Sequence, residues 1–417
     1  MSTLSRRFTD VLIIGAGPAG LSAAAALAPR RPGQVLVLDR EKEAGGIPRH
    51  SDHLGYGMRD LHRFMSGPAY ARRLTQQALR AGAEIQTEAM VTDWAGDRTV
   101  EVTSPHGRTS IEAQVIILAT GARERPRPAR LVPGDRPAGV YTTGQLQNLV
   151  HLHHRAPGTL AVIVGAELVS WSAAMTLRES GCETALMTSV HSRPEAYAAF
   201  TVPGRLALGI PVATRTRVTQ ISGRGRVSAV EVEDLDTQRR RTVRCDTVVF
   251  TGDWIPDHEL ARSAGLEMNP GTRGPAVDTR QATSRPGLFA IGNLTHPVDT
   301  ADVAALDGRA VAEHALNYLA GERHHTAGAG PRIEAGSGLK WITPSVLVPG
   351  VQPARGRLLA WPHRLTLMPT VTVRQDATTL GRRRLPWPAS PGRVFRIPTA
   401  IVPTVNARGG TIIIDVE

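Results

Sequence analysis

The sequence predicts an α/β protein in which two domains with parallel sheets, the second inserted into the first, precede a small all-β domain. Three observations lead to this fold class. An apolar strand, a glycine-rich turn and an alanine-rich helix follow one another within residues 11–28. A similar strand–turn–helix–strand pattern begins at residue 159, and a late strand followed by a long helix, residues 288–319, completes the first domain. From residue 339 onward, short alternating strands lie between prolines, a pattern typical of β structure.

The first turn contains a complete G-x-G-x-x-G motif, Gly15-Ala16-Gly17-Pro18-Ala19-Gly20. Gly15 permits the tight turn from strand to helix, Gly17 allows a pyrophosphate to approach the backbone, and Gly20 allows the helix to pack closely on the strand. The helix start then offers N–H groups to the phosphates. Asp39 ends the next apolar strand, 19 residues after Gly20, where its carboxylate can accept hydrogen bonds from a ribose. Because the strand, helix, second strand and acid stand in register, we predict a Rossmann-like dinucleotide site here.

Residues 1 to about 125 are predicted to form the first half of this domain. An amphipathic helix pattern covers residues 68–81, and the apolar run from Val115 to Leu118 is typical of a buried parallel strand. The short runs before it predict a small antiparallel sheet made of Glu84–Thr87, Val91–Trp94, Val100–Thr103 and Thr109–Ala113.

The second domain is predicted from a related pattern, with strands at Leu160–Val164, Ala185–Met187, Val227–Glu233 and Val243–Phe250. The predicted fold class is therefore α/β, with two Rossmann-like dinucleotide-binding domains, the second inserted in the first, plus a small C-terminal all-β domain. The predicted boundaries are 1–155 for the first part of the first domain, 156–252 for the inserted domain, 253–322 for the second part of the first domain and 335–417 for the β domain.

Composition limits the class of protein. No run of about 18 apolar residues occurs, so we expect no membrane span, and the N-terminus shows no signal-peptide core. The only cysteines, Cys182 and Cys245, lie far apart, which excludes a disulfide framework, a Cys-x-x-Cys redox pair and an iron–sulfur cluster bound by cysteines of this chain. We expect a cytoplasmic protein.

Much of the net charge of +12 lies near the C-terminus. Residues 335–417 contain eleven basic and three acidic side chains, a net charge of +8. Nucleic-acid binding requires stacking aromatics among the basic side chains, and only Arg382-Arg383-Arg384 beside Trp387 approaches that pattern. We expect no nucleic-acid partner and favour an arginine-rich solvated face, with an electropositive dock for an acidic partner as the alternative.

Four motifs in this order, Gly15–Gly20, Thr120-Gly121, Thr251-Gly252 and Leu288–Asn293, resemble those of flavoproteins with two dinucleotide-binding domains, the architecture of the pyridine-nucleotide–disulfide reductases. The resemblance covers about residues 8–320. The segment from Gly45 to His50 is most similar to the FAD-binding α subunits of heteromeric amine and amino-acid oxidoreductases, which include sarcosine oxidase, opine oxidase, hydrogen cyanide synthase and dye-linked proline dehydrogenase.

The resemblance implies FAD in the first domain. The three glycines of the first motif would hold its pyrophosphate, Asp39 its adenosine ribose and Val91 its adenine. The family's late Gly-Asp is Gly292-Asn293 here, which keeps hydrogen bonds and loses a charge. The helix that begins near Asp302 would direct its N-terminus at the flavin. The full set of residues expected to bind the cofactor is Gly15, Gly17, Pro18, Ala19, Gly20, Asp39, Arg40, Gly46, Ile47, Val91, Thr120, Gly121, Gly292, Asn293, Asp302 and Val303.

The second motif departs from the family pattern. Aligned on Gly165, Glu167 replaces the second glycine and Ser170 the third. A glutamate at this point adds bulk and negative charge where a pyrophosphate would lie. NAD(P) binding is therefore doubtful, and a structural relic or a site for a different ligand are the alternatives.

The resemblance also implies where chemistry takes place. Pro48 and His53 stand where disulfide reductases have their redox cysteines, so Arg49, His50 and His53 are expected near the flavin. A neutral imidazole there can accept the proton of a substrate amine as hydride leaves for the flavin, and Arg49 can bind a substrate carboxylate. We predict Arg49, His50 and His53 as catalytic residues. The alternative is that the histidines face solvent or bond to the neighbouring backbone.

Two further histidine groups, His151-x-His153-His154 and His324-His325, have the composition of a metal site but no supporting cysteine or carboxylate pattern. We interpret them as solvated turns and expect no metal.

The resulting functional prediction is an FAD-dependent oxidoreductase that oxidises a small amine or amino acid by hydride transfer to flavin, either alone or within a heteromeric dehydrogenase. Its partner would then be a second flavoprotein subunit or an acidic electron carrier. The alternative function is an NAD(P)H-dependent flavin reductase or an electron-transfer subunit.

Overall fold

The computed structural model describes residues 5–31, 33–196, 198–322, 330–402 and 405–417. The chain divides into two compact units: residues 1–49, 54–122 and 255–417 form the first, and residues 50–53 and 123–254 the second. The sequence pattern predicted that the first part of the first domain extends to residue 155. The Arg- and Pro-rich segment belongs to the second unit because Gly134 pairs with Ile221 and Ala138 with Arg226. Within the segment, the guanidinium of the buried Arg127 donates to the carbonyls of Val132, Pro133 and Asp135.

Up to residue 124, the described residues form two α-helices and nine strands: β1 (Ser5–Ile14), α1 (Pro18–Leu27), β2 (Val35–Leu38), β3 (Leu54–Tyr56), β4 (Met65–Ser66), α2 (Gly67–Arg80), β5 (Glu84–Gln86), β6 (Met90–Gly96), β7 (Thr99–Ser104), β8 (Gly107–Leu118) and β9 (Ala122–Glu124).

The elements that follow, up to the return crossing, are β10 (Val140–Thr142), α3 (Thr143–Gln147), β11 (Leu160–Val164), α4 (Leu168–Glu179), β12 (Glu183–Thr188), α5 (Ala198–Leu208), β13 (Val212–Ala213), β14 (Thr216–Ser222), β15 (Ala229–Asp234), β16 (Arg240–Arg244), β17 (Thr247–Phe250) and β18 (Trp254–Pro256).

The remaining elements are α6 (Glu259–Ser263), β19 (Leu288–Ala290), α7 (Ala301–Leu319), β20 (Ile333–Ala335), β21 (Leu339–Thr343), β22 (Arg357–Pro362), β23 (Thr370–Gln375), β24 (Thr378–Arg384), β25 (Phe395–Pro398) and β26 (Ile412–Val416).

The main sheet of the first unit has the strand order β5-β2-β1-β8-β7-β6. β1 runs parallel to both of its neighbours, with Val11 paired to Val35 in β2 and to Val115 in β8. Alternate residues of β1 face two cores: Val11 and Ile13 pack with α1, α2 and α7, whereas Leu12 and Ile14 pack with residues of β6, β7 and α6. Burial of each such side chain contributes about 1.5–3 kcal/mol to stability.

Strand β8 differs from the prediction of two separate strands. Its N-terminal half pairs antiparallel with β7, and its C-terminal half pairs parallel with β19 on the same edge. The prediction that β5 belongs to an antiparallel sheet was also wrong, because β5 pairs parallel with β2. The sequence pattern did not reveal these pairings because alternation shows which residues are buried and not which strand lies beside them.

Helices α1 and α7 approach each other closely through small residues. A Cβ placed on Gly308 of α7 would lie 2.0 Å from the carbonyl oxygen of Ala19 in α1. Only glycine fits at this contact. The long helix predicted after residue 301 is therefore confirmed and is held against the start of α1.

The second unit contains a parallel five-stranded sheet, β10-β17-β11-β12-β13, and a three-stranded antiparallel sheet, β14-β15-β16. The predicted strand Val243–Phe250 is in fact two strands, one in each sheet. Asp246 interrupts it, because its carboxylate accepts hydrogen bonds from the backbone N–H groups of Thr159 and Leu160, at 2.8 and 3.1 Å, where β11 begins.

The C-terminal segment forms two small sheets around a separate apolar cluster. Their orders are β20-β26-β23-β24 and β21-β22-β25. The alternation predicted at residues 371–373 and 411–416 is confirmed, since Val371, Val373, Ile412 and Ile414 all face that cluster. No helix within the described residues is both long and apolar enough to cross a membrane.

We expect Gly308→Ala to lower the free energy of unfolding by about 1–3 kcal/mol, because the added methyl group overlaps the Ala19 carbonyl and forces α1 and α7 apart. Urea unfolding followed by circular dichroism measures this change. Asn317→Ala, at an exposed position of the same helix, is the control and should change stability by about 0.5 kcal/mol or less. Equal stability of the two variants would contradict the close contact.

Candidate functional site

The three glycines of the first motif occupy three different environments. Gly15 has φ +109°, and a Cβ there would lie 2.4 Å from the carbonyl oxygen of Ala119. A Cβ on Gly20 would lie 1.9 Å from the carbonyl oxygen of Gly15, so the helix can contact the strand only through glycine. A Cβ on Gly17 would meet no protein atom within 4 Å. The open side of Gly17 is the space that a pyrophosphate requires.

The start of α1 carries no competing group. Gly17 is its N-cap and Pro18 its first residue, and its first turn contains neither a side-chain cap nor an acidic residue. The N-terminal N–H groups of this ten-residue helix are thus available to an anion. This local arrangement fits the phosphates of a dinucleotide.

Asp39 follows β2 and lies against the glycine turn. Its carboxylate accepts hydrogen bonds from the N–H groups of Ala16 at 2.7 Å and Glu41 at 2.9 Å. Burial raises the pKa of Asp39 above its usual range, and these two hydrogen bonds oppose that increase. The carboxylate therefore orders the turn, and its predicted contact with a ribose is an additional role.

The segment after β2 returns to the glycine turn. Gly46 has φ +64°, and a Cβ there would lie 2.9 Å from the Cα of Gly17. The next residue, Ile47, is 54% exposed although it is large and apolar. Arg49 donates from its guanidinium to the Glu43 carbonyl at 2.9 Å and lies 3.7 Å from the Glu41 carboxylate.

Thr120 and Gly121 close the C-terminal end of β8 through Asp257, a residue that no sequence motif indicated. The Thr120 hydroxyl donates to the Asp257 carbonyl at 2.7 Å, and the Asp257 N–H donates to the Gly121 carbonyl at 2.9 Å. The Asp257 carboxylate lies 3.2 Å from the guanidinium of Arg40. Arg40 thus has an acidic partner within the first unit. On the same sheet, Val91 is buried in β6.

The late motif packs directly on α1, since a Cβ on Gly292 would lie 2.9 Å from the Cβ of Ala19. The amide of Asn293 closes the loop that follows. It donates to the carbonyl of Asp299 at 3.0 Å and accepts from the N–H of Asp299 at 3.1 Å. Both ends of this amide are engaged within the loop, so the predicted contact of Asn293 with the cofactor stays a prediction.

Asp302 covers part of the N-terminus of α7. Its buried carboxylate accepts from the N–H of Val303 and the N–H of Arg59, both at 3.0 Å. The family resemblance implied that this helix end presents positive charge to the flavin. The acid at the second helical residue offsets that charge, because it is itself stabilised by the helix dipole.

Two arginines of the β domain bind acids that flank this helix start, and no sequence motif indicated either of them. Arg355 contacts the buried Asp307 carboxylate at 2.5 Å, and Arg396 contacts Asp299 at 2.6 Å. Asp307 also accepts a hydrogen bond from the imidazole of His296. Burial acts to raise the pKa of Asp307, but His296 and Arg355 outweigh it and hold that pKa below its usual range. The number of arginines in the sequence does not show which of them form ion pairs with buried acids and which face solvent.

The second motif folds as a strand–turn–helix but closes its own helix end. Glu167 is the N-cap of α4 and forms a capping box with Ser170, in which the glutamate side chain accepts from the Ser170 N–H and the serine hydroxyl accepts from the Glu167 N–H at 3.0 Å. The same carboxylate lies against Gly252, where a Cβ would be 2.2 Å from Oε1 of Glu167. The glutamate side chain thus fills the space between the start of α4 and Gly252.

The electrostatics of the second motif also oppose a dinucleotide. Burial, together with the nearby Glu195 and Glu124, raises the pKa of Glu167 to about 8, and burial raises the pKa of Glu195 to about 7. Arg130, whose positive charge lowers the pKa of Glu167, donates its hydrogen bonds to the carbonyls of Arg125, Thr251 and Gly252. These residues do not fit the pyrophosphate of NAD(P).

Comparison with known proteins identifies the family. The family described as pyridine nucleotide-disulphide oxidoreductase matches residues 9–308. The chain belongs to this family. It is an FAD-dependent oxidoreductase, as the motifs predicted, and the open side of Gly17 fits that cofactor.

Three similar proteins illustrate the range of this family. The ferredoxin–NAD(+) reductase component of the benzene 1,2-dioxygenase system of Pseudomonas putida is 28% identical over 329 residues, which cover 76% of this chain and 72% of that protein. One of the opine oxidase subunits of Agrobacterium tumefaciens is 28% identical over 344 residues, which cover 75% of this chain and 66% of that protein. Thioredoxin reductase of T. acidophilum has a TM-score of 0.62 at 23% identity, covering 76% of this chain and 99% of that one, and shows the shared fold.

This pyridine nucleotide-disulphide oxidoreductase has its two cysteines away from the family's redox position. Cys182 and Cys245 are buried in the second unit, where burial raises the pKa of their thiols to about 12 and about 11. Neither thiol is therefore suited to thiolate chemistry. His50 and His53 belong to the second unit and Arg49 to the first, and their catalytic roles stay predictions.

The histidine groups take different positions. The ring of His151 lies 3.3 Å from the Thr176 hydroxyl and 3.4 Å from the Asp52 carboxylate, and His153 and His154 are exposed. Among the residues that the structure describes, no cluster of three or more histidine, cysteine or acidic side chains is arranged to hold a metal. His324-His325 lie outside the described residues.

We expect Gly17→Ala to reduce FAD affinity by at least about tenfold, equivalent to about 1.4 kcal/mol, because the new methyl group projects into the space for the pyrophosphate. The free energy of unfolding of its apoprotein should fall by only about 1 kcal/mol or less, since the added methyl group meets no protein atom. Gly20→Ala is the matched variant and should instead destabilise the apoprotein by about 1–3 kcal/mol. Fluorescence titration with FAD and thermal unfolding of both apoproteins separate the two effects. Equal FAD affinity of Gly17→Ala and wild type would contradict a pyrophosphate site beside Gly17.

The second motif predicts a pH dependence of stability. Glu167 holds a proton in the folded state up to a pH of about 8, whereas the unfolded chain loses it near the ordinary pKa of 4.5. Stability should therefore decrease as the pH rises between these values. Glu167→Gln should flatten this decrease and raise the melting temperature above pH 8 by several degrees. Glu183→Gln, at an exposed position of β12, is the control, and identical melting profiles for both variants would contradict the prediction.

Proposed function

We propose that this protein is the FAD-bearing electron-transfer component of a multi-protein oxidoreductase, and that it does not use NAD(P)H at its second nucleotide motif. The observation that carries the proposal is the capping box of Glu167, which closes the helix end where NAD(P) would bind. The comparisons favour electron transfer over direct oxidation of an amine, since the relative from Pseudomonas putida described above is named as the ferredoxin reductase subunit of a dioxygenase system.

Bound FAD supplies the chemistry of accepting and passing on electrons. The chain contributes the open helix start at Gly17, which binds phosphate, and the loop from Gly292 to Asp302, which packs on that helix. With the redox thiols absent from positions 48 and 53, electrons must leave through another protein or a small acceptor.

A second candidate function is oxidation of a small amine or amino acid, favoured by the similarity to the opine oxidase of Agrobacterium tumefaciens. In that case Arg49 would bind a substrate carboxylate, and His50 or His53 would accept the substrate's proton. A cytoplasmic location and a second flavoprotein subunit or acidic carrier as partner also belong to this proposal.

One experiment distinguishes the candidates. The purified FAD-loaded protein is mixed anaerobically with NADH, NADPH, a panel of amines and amino acids, or a chemically reduced acidic ferredoxin, and flavin absorbance is followed. We expect rapid loss of absorbance with the reduced ferredoxin and reduction by NAD(P)H at least about 100-fold slower, in line with the several kcal/mol that the Glu167 carboxylate and the lost glycine cost a bound pyrophosphate.

Two variants sharpen this prediction. Glu167→Gly restores the family's second glycine and should increase the rate of reduction by NADH or NADPH by at least about tenfold, whereas Glu167→Gln keeps the bulk of the side chain and should increase it less. Reduction of the wild-type protein by NAD(P)H within milliseconds would contradict the proposal. Reduction by an amine or amino acid would favour the second candidate.

A further inference from the structure

An arginine-rich edge lies on the outer strand of the β domain. Arg382, Arg383 and Arg384 end β24, which is the last strand of its sheet and pairs only with β23 among the strands described. All three side chains are exposed. We refer to these three residues as the arginine edge.

The arginine edge presents charge on both faces of the strand. Arg382 and Arg384 pair with Thr372 and Thr370, whose side chains lie on the face away from the core, whereas Arg383 pairs with the buried Val371. Directly paired residues of antiparallel strands project to the same side. The three guanidinium groups therefore surround the free edge of the sheet.

Acidic side chains neutralise little of this charge. Arg382 lies 3.5 Å from the Glu417 carboxylate, but both side chains are about two-thirds exposed, and such surface pairs contribute little stability. Arg383 and Arg384 form no ion pair within the part of the chain that the structure describes. The surrounding segment, residues 335–417, has a net charge of +8.

Apolar side chains continue the same surface. Leu367 is 61% exposed, Met368 53% and Trp387 37%. They lie on two segments that run side by side, because Thr370 pairs with Arg384 and Thr366 with Ala389. Arginine, tryptophan and methionine are enriched at protein interfaces, and exposed apolar side chains grouped beside charge mark interaction sites.

We propose that the arginine edge, together with Leu367, Met368 and Trp387, is a docking surface for an acidic protein. The proposal rests on the proposed electron-transfer function, which requires a protein partner, and adds where that partner binds. A second copy of this chain is opposed by like charge, since each copy carries a net charge of +12. A nucleic acid is disfavoured because Trp387 is the only aromatic side chain of this surface, and stacking platforms use several.

The test compares two charge-matched variants. Arg382→Gln/Arg383→Gln/Arg384→Gln removes three positive charges from the arginine edge, and Arg239→Gln/Arg241→Gln/Arg244→Gln removes three exposed charges at and beside β16 of the second unit. Binding of an acidic [2Fe–2S] ferredoxin to each FAD-loaded full-length protein is measured by surface plasmon resonance, with basic cytochrome c as the charge control. Circular dichroism and flavin content establish that both variants are folded.

We expect wild-type affinity for ferredoxin to fall as salt rises from about 50 to about 300 mM, since exposed charges are screened over this range. The arginine-edge variant should bind at least about tenfold more weakly, and the β16 variant within about twofold of wild type. Leu367→Ser/Met368→Ser should increase the dissociation rate with little change in salt dependence. Cytochrome c should bind none of them measurably.

Equal loss of affinity in the two triple variants, or no binding of ferredoxin by the wild type, would overturn the docking surface. The same binding measurement is repeated with a short single-stranded RNA in place of ferredoxin. Tighter binding of the RNA than of ferredoxin at the arginine edge would also overturn the proposal. The proposed function fails separately: if ferredoxin docks at the arginine edge but passes no electrons to the flavin, the docking surface stands and the electron-transfer role does not.

Discussion

The close approach of several backbone segments to the first turn of α1 is the constraint on which the first unit depends. Gly20 brings the helix onto the Gly15 carbonyl, and Gly308 brings α7 onto the Ala19 carbonyl. Gly46 and Gly292 then contact the same turn from two distant parts of the chain. Side chains larger than hydrogen at these points would separate segments that are predicted to contact the cofactor together. The glycine contacts therefore stabilise the packing and also bring residues 15–20, 46 and 292 together around the start of α1.

The two strand–turn–helix motifs have similar backbones but differ in whether the helix N-terminus is open to a ligand. The first leaves its helix end open at Gly17, so the dipole and N–H groups are available to phosphate. The second satisfies the same groups internally through Glu167 and Ser170, a capping box of the kind that contributes about 0.5–2 kcal/mol to stability. A ligand phosphate would have to displace this internal partner and approach a carboxylate cluster. The second motif thus retains the architecture of a nucleotide domain while its helix end is already occupied.

Much of the fold follows from local pattern, and the parts that do not have identifiable causes. The glycine motif, the parallel strands β1 and β11, helix α7 and the alternation around Val371 and Val373 were predictable because each is encoded in neighbouring residues. The division of the predicted strand Val243–Phe250 into β16 and β17 was not predictable, because it depends on the Asp246 carboxylate, which binds the start of a strand 86 or more residues away in sequence. Arg355 and Arg396 were assigned to a solvated face for the same reason: their acidic partners, Asp307 and Asp299, are distant in sequence.

The asparagine at position 293 is explained by its loop more directly than by the cofactor. Its amide donates to the carbonyl of Asp299 and accepts from the N–H of the same residue, which a carboxylate cannot do because an ionised acid has no proton to donate. Asp299 is in turn held by Arg396, so the β domain stabilises the loop that connects Gly292 to the start of α7. The charge that the family motif would place at position 293 is replaced by a neutral group, and an arginine of the β domain binds the neighbouring acid. The β domain therefore supports the loop after Gly292, which is predicted to bind the flavin, through its inward arginines, while its outer strand leaves three arginines exposed.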